Sequence, residues 1–149
     1  MIARSDIVTA CRTYLDLPFL HQGRDPKKGI DCIGLIWNVA RDVGYDFEMI
    51  NAYSTSPSGQ RVIEEAAKSL VKPQRQGFDR IMPGDIIVTW GFQRGVPQHF
   101  AFVGEMYGQL TLIHAFQRAG RVTEHSVHRF WEQHYVSTWN FPGTERLEG

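Results

Sequence analysis

Two cysteines and six histidines are the side chains in this sequence best suited to nucleophilic and proton-transfer chemistry near neutral pH. Cys32 stands out by position. It follows Gly29-Ile30-Asp31, and Asp31 has the type and place of a helix N-cap, so the thiol falls on the first turn of a helix. Amide hydrogens and the helix dipole there favour the thiolate, the form that attacks a carbonyl carbon. With a basic partner, such positions take a thiol from about 8.5 into roughly the 3.5–7.5 range. Gly34, two residues on, removes a side chain near the sulfur and leaves room for a substrate backbone. The competing reading is an inert core thiol, because free cysteine is among the most buried residue types. Cys11 takes that second reading: it shares a helical face with Ile7, Tyr14 and Leu15 and has no glycine neighbour. A Cys11–Cys32 disulfide would consume the nucleophile and is disfavoured.

A thiol needs a base. His99 follows Pro97-Gln98 and opens the apolar run Phe100-Ala101-Phe102-Val103, and a strand start holds a side chain in fixed orientation. His114 ends the run Leu110-Thr111-Leu112-Ile113. If the two runs pair as a hairpin around Tyr107-Gly108, both histidines fall at one end of the sheet. One imidazole can then accept the thiol proton while the other fixes its tautomer. His125, His128 and His134 have a spacing that suggests zinc, but no cysteine, aspartate or HExxH helix supports it, so no metal is expected. His21 lies in the loop before Cys32, as a cleft-lining or a solvated residue. Arg24, Lys27 and Lys28 in the same loop either attract carboxylates or are solvated charges that Asp25 partly offsets.

The elements that must position these groups are legible in outline. Residues 5–15 place apolar side chains at helical spacing, with Ser5 as a cap and Pro18 closing the element. Gln22 to Gly29, polar and punctuated by Gly23 and Pro26, reads as a loop. Cys32 to Val43 is apolar around most of its circumference, which predicts a central buried helix, and Gly44 stops it. Residues 45–60, with Tyr53, Pro57 and Gly59, read as irregular, and residues 60–70 as a third helix. Pro83-Gly84-Asp85 is a turn signal ahead of a β-branched and aromatic run, Ile86 to Trp90. Residues 100–103, 110–115 and 135–141 continue the strand texture, with a short helix or turn at Phe130-Trp131. Helices first and strands afterwards predict an α+β fold with an antiparallel sheet.

Bulk composition narrows the partners. The 149 residues are 42% hydrophobic and 21% charged, ordinary for a globular chain. Sixteen basic and sixteen acidic residues cancel, so there is no broad basic surface for nucleic acid. Met1 to Leu20 is interrupted by Arg4, Asp6, Arg12 and Asp16, unlike a secretory leader or a membrane span. The expectation is cytoplasmic synthesis without a signal peptide, with no membrane partner and no cofactor.

The string Gly29-Ile30-Asp31-Cys32-Ile33-Gly34-Leu35-Ile36 resembles the nucleophile motif of the NlpC-type cell-wall peptidases, which are papain-like in fold. Met82-Pro83-Gly84-Asp85-Ile86-Ile87 resembles the family's turn into its first sheet strand. His99-Phe100-Ala101-Phe102-Val103-Gly104 resembles its base-bearing strand, and Leu112-Ile113-His114-Ala115 the strand of its third polar residue. Four motifs in order, with helices before strands, are specific, and the likeness implies a single domain over residues 1–149. Leu17-Pro18-Phe19-Leu20-His21-Gln22-Gly23-Arg24 and Trp139-Asn140-Phe141-Pro142-Gly143 resemble the phage-tail and gene-transfer-agent branch, whose tail-tip components open the wall during DNA delivery.

The resemblance implies Cys32 as nucleophile, His99 as general base and His114 as orienter. It implies cleavage of peptidoglycan stem peptides, usually between γ-D-glutamyl and a diamino acid, in the periplasm or cell wall and beside other tail proteins. His21, Arg24 and Lys28 are the expected substrate contacts. One departure matters: many relatives carry a tyrosine ahead of the nucleophile, where this chain has Phe19 or Leu20 and no hydroxyl. That favours the alternative of a structural tail-tip protein that keeps the fold with weak or no catalysis. A third reading, an acyltransferase or amidase acting on lipid or small amides, lacks any membrane-directed amphipathic segment to support it.

Overall fold

In the computed structural model, residues 1–47, 60–91 and 93–147 are described. Helix α1 covers Arg4–Arg12 and buries Ile7, Val8 and Cys11. It begins earlier than Ser5 predicts: Ala3 occupies the N-cap position without a side-chain bond, and Ser5 lies inside the helix. The reason is tertiary. Ile2 exchanges backbone hydrogen bonds with Gly143 and Glu145, and Arg4 is drawn into the interior by Asp85. Helix α2, Cys32–Asp42, matches its expected start, and its Ile33, Leu35, Ile36, Val39 and Ala40 are buried. Gly44 follows with φ +89°, the left-handed conformation that ends helices. Helix α3 covers Gln60–Ala67. The irregular stretch expected around Tyr53, Pro57 and Gly59 lies outside the described residues.

The strands are β1 Ile86–Trp90, β2 Pro97–Met106, β3 Gln109–Phe116, β4 Arg121–Ser126 and β5 Tyr135–Trp139, with the short helix α4, Arg129–His134, ahead of the last. Among the described residues they form one antiparallel sheet in the order β4-β3-β2-β1-β5. The β2–β3 hairpin turns on Tyr107 and Gly108, both with positive φ, as a two-residue turn matched to strand twist requires. β2 extends three residues ahead of the expected Phe100, because Pro97 to His99 continue the ladder with β1. β4 was not predicted. It is an edge strand with one buried apolar residue, Val122, and it is defined by pairing with β3.

Alternation along the strands splits the core in two. On one face Ile86, Val88, Phe100, Phe102, Ile113 and Ala115 pack against Ile7 and Cys11 of α1 and Ile33, Ile36 and Val39 of α2. On the other, Ile87, Ala101, Val103 and Leu112 pack with Ile81 and Trp131. The fold is therefore α+β, with the N-terminal helices on an antiparallel sheet. Among the described residues no helix is long and apolar enough to cross a membrane.

The start of β1 is anchored by a buried carboxylate. Asp85 accepts from Arg4 Nη1 at 2.8 Å, from both Arg75 terminal nitrogens at 2.9 Å, from Asn140 Nδ2 at 2.9 Å and from the Met82 amide at 2.9 Å. Burial alone would raise its proton affinity; Arg75, then Arg4 and Asn140, win and hold the carboxyl below its usual range. One side chain thus ties α1, β1 and the chain after β5 together. Removing one partner of a buried ion pair leaves an uncompensated charge, so Asp85→Ala is expected to lose about 3–5 kcal/mol of unfolding free energy at pH 7. Urea denaturation measures this. Because the carboxyl's proton affinity is lowered in the folded state, the wild-type advantage should shrink as pH falls below the ordinary carboxylate range.

Candidate active site

The site begins with the N-cap of α2. Asp31 uses one oxygen, Oδ1, to accept from the Gly34 amide at 2.9 Å and the other, Oδ2, to accept from the Gln22 amide at 2.9 Å. One carboxylate therefore starts the helix and fixes the loop beside it. The loop folds back through Leu20 N to Ile30 O and Ile30 N to Pro18 O, while Asn38 of α2 holds the Arg24 carbonyl at 2.8 Å. Gly34 serves this packing, which corrects the expectation of space for substrate: a Cβ there would stand 2.1 Å from the Gly23 carbonyl oxygen. The absent side chain admits the protein's own backbone.

Cys32 is half-buried and reduced, and Cys11 is reduced and fully buried in the core, as its apolar face predicts. The β2–β3 ladder stops at Phe102–Ile113, whereas β1 continues to pair with β2 as far as Pro97 and β4 with β3 as far as Phe116. The two central strands part at that point. The Phe100 amide, next in the chain to His99, acts on the Cys32 thiol and lowers its proton affinity, as do the amides of Ile33 and Cys32 itself.

His99 and His114 meet as the hairpin predicts. His99 Nε2 lies 2.7 Å from His114 Nδ1. A third ring joins them: His114 Nε2 lies 2.7 Å from His125 Nε2, and His125 Nδ1 lies 3.0 Å from the Ser126 carbonyl oxygen. Sequence reasoning missed His125 because it missed β4. The available signal was the β-branched pair in Val122-Thr123 after the Gly120 turn, which on a strand places residue 125 opposite Leu112 and on the face of His114. Trp131 covers the row, stacked on His125 at 5.5 Å and edge-on to His114 at 5.0 Å. His128 stands 6.0 Å from His125 between ring centroids, while His134 bonds the Trp90 carbonyl and stacks between Trp90 and Phe130. Among the described residues no cluster suited to a metal ion forms.

The electrostatics differ from the sequence expectation. Burial, with Asp31 adding repulsion, pushes the Cys32 thiol up to about 12, and the three amides only partly oppose it. Burial, then the charge His125 would carry, takes His99 down to about 4, and burial with both neighbouring rings holds His114 well below the ordinary histidine range. Desolvation outweighs the helix N-terminus here. The resting pair is a neutral thiol and neutral imidazoles. The remaining expected site residues lie on the loop: His21 and Lys28 are exposed, and Arg24 is half-buried, its Nη1 donating to the Gln22 carbonyl at 3.0 Å. Of the two residues expected near the tyrosine position, Phe19 packs against the core and Leu20 is exposed.

The NlpC/P60 family profile matches residues 16–140. Among curated proteins no sequence matches. Solved structures similar in fold include an NlpC/P60 family protein from Bacillus cereus, with TM-score 0.68 at 16% identity, covering 93% of this chain and 40% of that one. A lipoprotein-like NLP/P60 family protein from Staphylococcus aureus gives 0.65 at 17%, covering 93% and 41%. The NlpC/p60 domain of the peptidoglycan hydrolase SagA gives 0.60 at 23%, covering 90% and 97%. The chain thus spans about two fifths of the first two proteins and nearly all of the SagA domain.

The neutral resting state is open to test by alkylation. With iodoacetamide and peptide mass mapping, the Cys32 rate is expected to climb about tenfold per pH unit from pH 7 to 9, following the thiolate fraction. A rate plateau already reached below pH 7 would contradict it.

Proposed function

This chain belongs to the NlpC/P60 family, and from that premise we propose that it is a cysteine-type peptidoglycan hydrolase, an endopeptidase of stem peptides acting as a single domain. The observation that carries the reading is a free, half-buried thiol at a helix start whose proton affinity is lowered by the amide of Phe100, the neighbour of a histidine whose ring is held by a second histidine. Among the described residues no hydrogen bond falls on His99 Nδ1, which leaves that nitrogen for the thiol proton.

In the reaction, the stem-peptide carbonyl enters beside the sulfur. The proton of Cys32 passes to His99 Nδ1 as the sulfur attacks, and the C=O electrons move to oxygen. The Cys32 amide at the helix start, with no tyrosine hydroxyl to assist, is the expected oxyanion donor; one such donor is typically worth about 10²–10³ in rate. The tetrahedral intermediate collapses, the C–N bond breaks, and the His99 imidazolium gives its proton to the leaving amine. Water then attacks the thioester, His99 takes its proton, and the carboxylic acid departs as the Cys32 thiol is restored. His21, Arg24 and Lys28 on the loop leading into Cys32 are the proposed contacts for the stem's carboxylates. The bond between γ-D-glutamyl and a diamino acid is the proposed target. The likeness of residues 17–24 and 139–143 to tail-associated relatives supports a place beside tail proteins of a phage-like particle, acting on the cell wall.

A second reading, a structural tail-tip protein, is favoured by Phe19, whose ring packs into the core and offers no hydroxyl. One experiment separates the two. Purified peptidoglycan is incubated with wild type, Cys32→Ala and His99→Ala, and new free amines are identified by mass spectrometry. The proposal expects amine release by wild type, none above background for Cys32→Ala, and a loss of about 10²–10⁴ for His99→Ala. Equal release by wild type and Cys32→Ala, or no release by any, would end it.

A further inference from the structure

Resting on the proposed roles of Cys32 and His99, we infer that His125 is a positioning residue: with the Ser126 carbonyl it sets the direction of hydrogen bonding through His114, so that His99 presents a bare Nδ1 to the thiol. The derivation needs only donor and acceptor counting. A carbonyl oxygen accepts and never donates, so His125 Nδ1, 3.0 Å from Ser126 O, carries the hydrogen. In a neutral ring the other nitrogen is then an acceptor. His125 Nε2 therefore receives the hydrogen of His114 Nε2 across 2.7 Å. His114 Nδ1 is left as an acceptor, and it receives the hydrogen of His99 Nε2 across its own 2.7 Å. The hydrogen of His99 is thereby spent on Nε2, and Nδ1 keeps its lone pair. The opposite ordering would place a hydrogen on Nδ1, and that atom could not take the proton of Cys32.

The fold supports both ends of this chain. His125 and His114 project from the same face of the β3–β4 pair, where Leu112 opposes His125 and Thr123 opposes His114. Trp131, itself buried, lies against both rings and fixes their planes. During turnover the proton of Cys32 is received and returned at His99 Nδ1 alone. The hydrogens on His99 Nε2 and His114 Nε2 stay where they are, so the row acts by orientation and by stabilising the imidazolium, without net proton flow.

Two variants and one spectrum test this. His125→Phe keeps an aromatic ring beside Trp131 but removes the acceptor for His114 Nε2–H. Its expected effect is a loss of about 10–100-fold in kcat with KM little changed, the scale known for partners one step behind metal-bound histidines. His125→Gln restores an oxygen acceptor and is expected to recover most of that loss. In ¹⁵N-histidine NMR of the wild-type protein, His99 and His114 should carry hydrogen on Nε2 and none on Nδ1, and His125 the reverse. Wild-type kcat in His125→Phe, an equal loss in both variants, a loss confined to KM, or a hydrogen on His99 Nδ1 in wild type would each overturn the inference. The spectrum does not depend on turnover. An inactive wild-type protein with the expected tautomers therefore rejects the proposed function and not the hydrogen-bond order, whereas an active wild type with an unaffected His125→Phe rejects the order alone.

Discussion

A neutral imidazole has one donor and one acceptor, so three of them in a row can be ordered in only two directions. Everything at this site follows from which direction is taken and from what keeps His99 and His114 neutral. Burial does the second. His114 is wholly inaccessible and Trp131 lies against it, so a proton added to His114 or to His99 would cost desolvation and repel the neighbouring ring. A single backbone carbonyl at the sheet edge does the first. It lies two rings away from the His99 ring, which is close enough only because β3 and β4 stay paired to Phe116 while β2 and β3 do not.

Two carboxylates then bring the halves of the molecule to that row. Asp31 binds its own helix start with one oxygen and the preceding loop with the other, so the helix start that carries the sulfur is tied to the loop. The close fit of Gly34 against the Gly23 carbonyl leaves no slack between them. Asp85 does the equivalent work at the far end of the fold. Its ligands come from α1, from residue 75 and from residue 140, and the strand it precedes, β1, carries the ladder that holds His99 in line. An acidic side chain at a turn costs little when exposed. Buried, each commits several donors, and that commitment makes the geometry unique.

The parts legible in the sequence were those set by local chemistry. Asp31 announces a cap three residues before the amide it binds, Ile86 to Trp90 matches its strand residue for residue, and Tyr107-Gly108 announces a tight hairpin that brings His99 and His114 together. What failed was set by distance. Ser5 looks like a cap, but contacts from residues 85, 143 and 145 pull the helix start past it. β4 has one buried apolar residue because the sheet edge asks for no more, so no hydrophobic pattern marked it, and His125 went unplaced with it. The thiol was expected to ionise on the strength of its helix, yet its burial, with the Asp31 charge beside it, outweighs the amides there.

That last reversal bears on how the proton moves. With the thiol raised and the imidazole lowered by burial, the proposed transfer between them is uphill when each is taken as an isolated group. Mutual attraction of the resulting thiolate and imidazolium offsets part of that cost. A standing ion pair is therefore unnecessary, and the balance favours transfer coupled to attack. Under that condition the acceptor must already be in place when substrate arrives, because a ring that first had to exchange its hydrogen between nitrogens would add its own cost to a barrier already largely committed. In the proposed reaction a row of rings ordered by one carbonyl meets the condition with no rearrangement, and the edge strand then belongs to the chemistry as much as the helix that carries the sulfur.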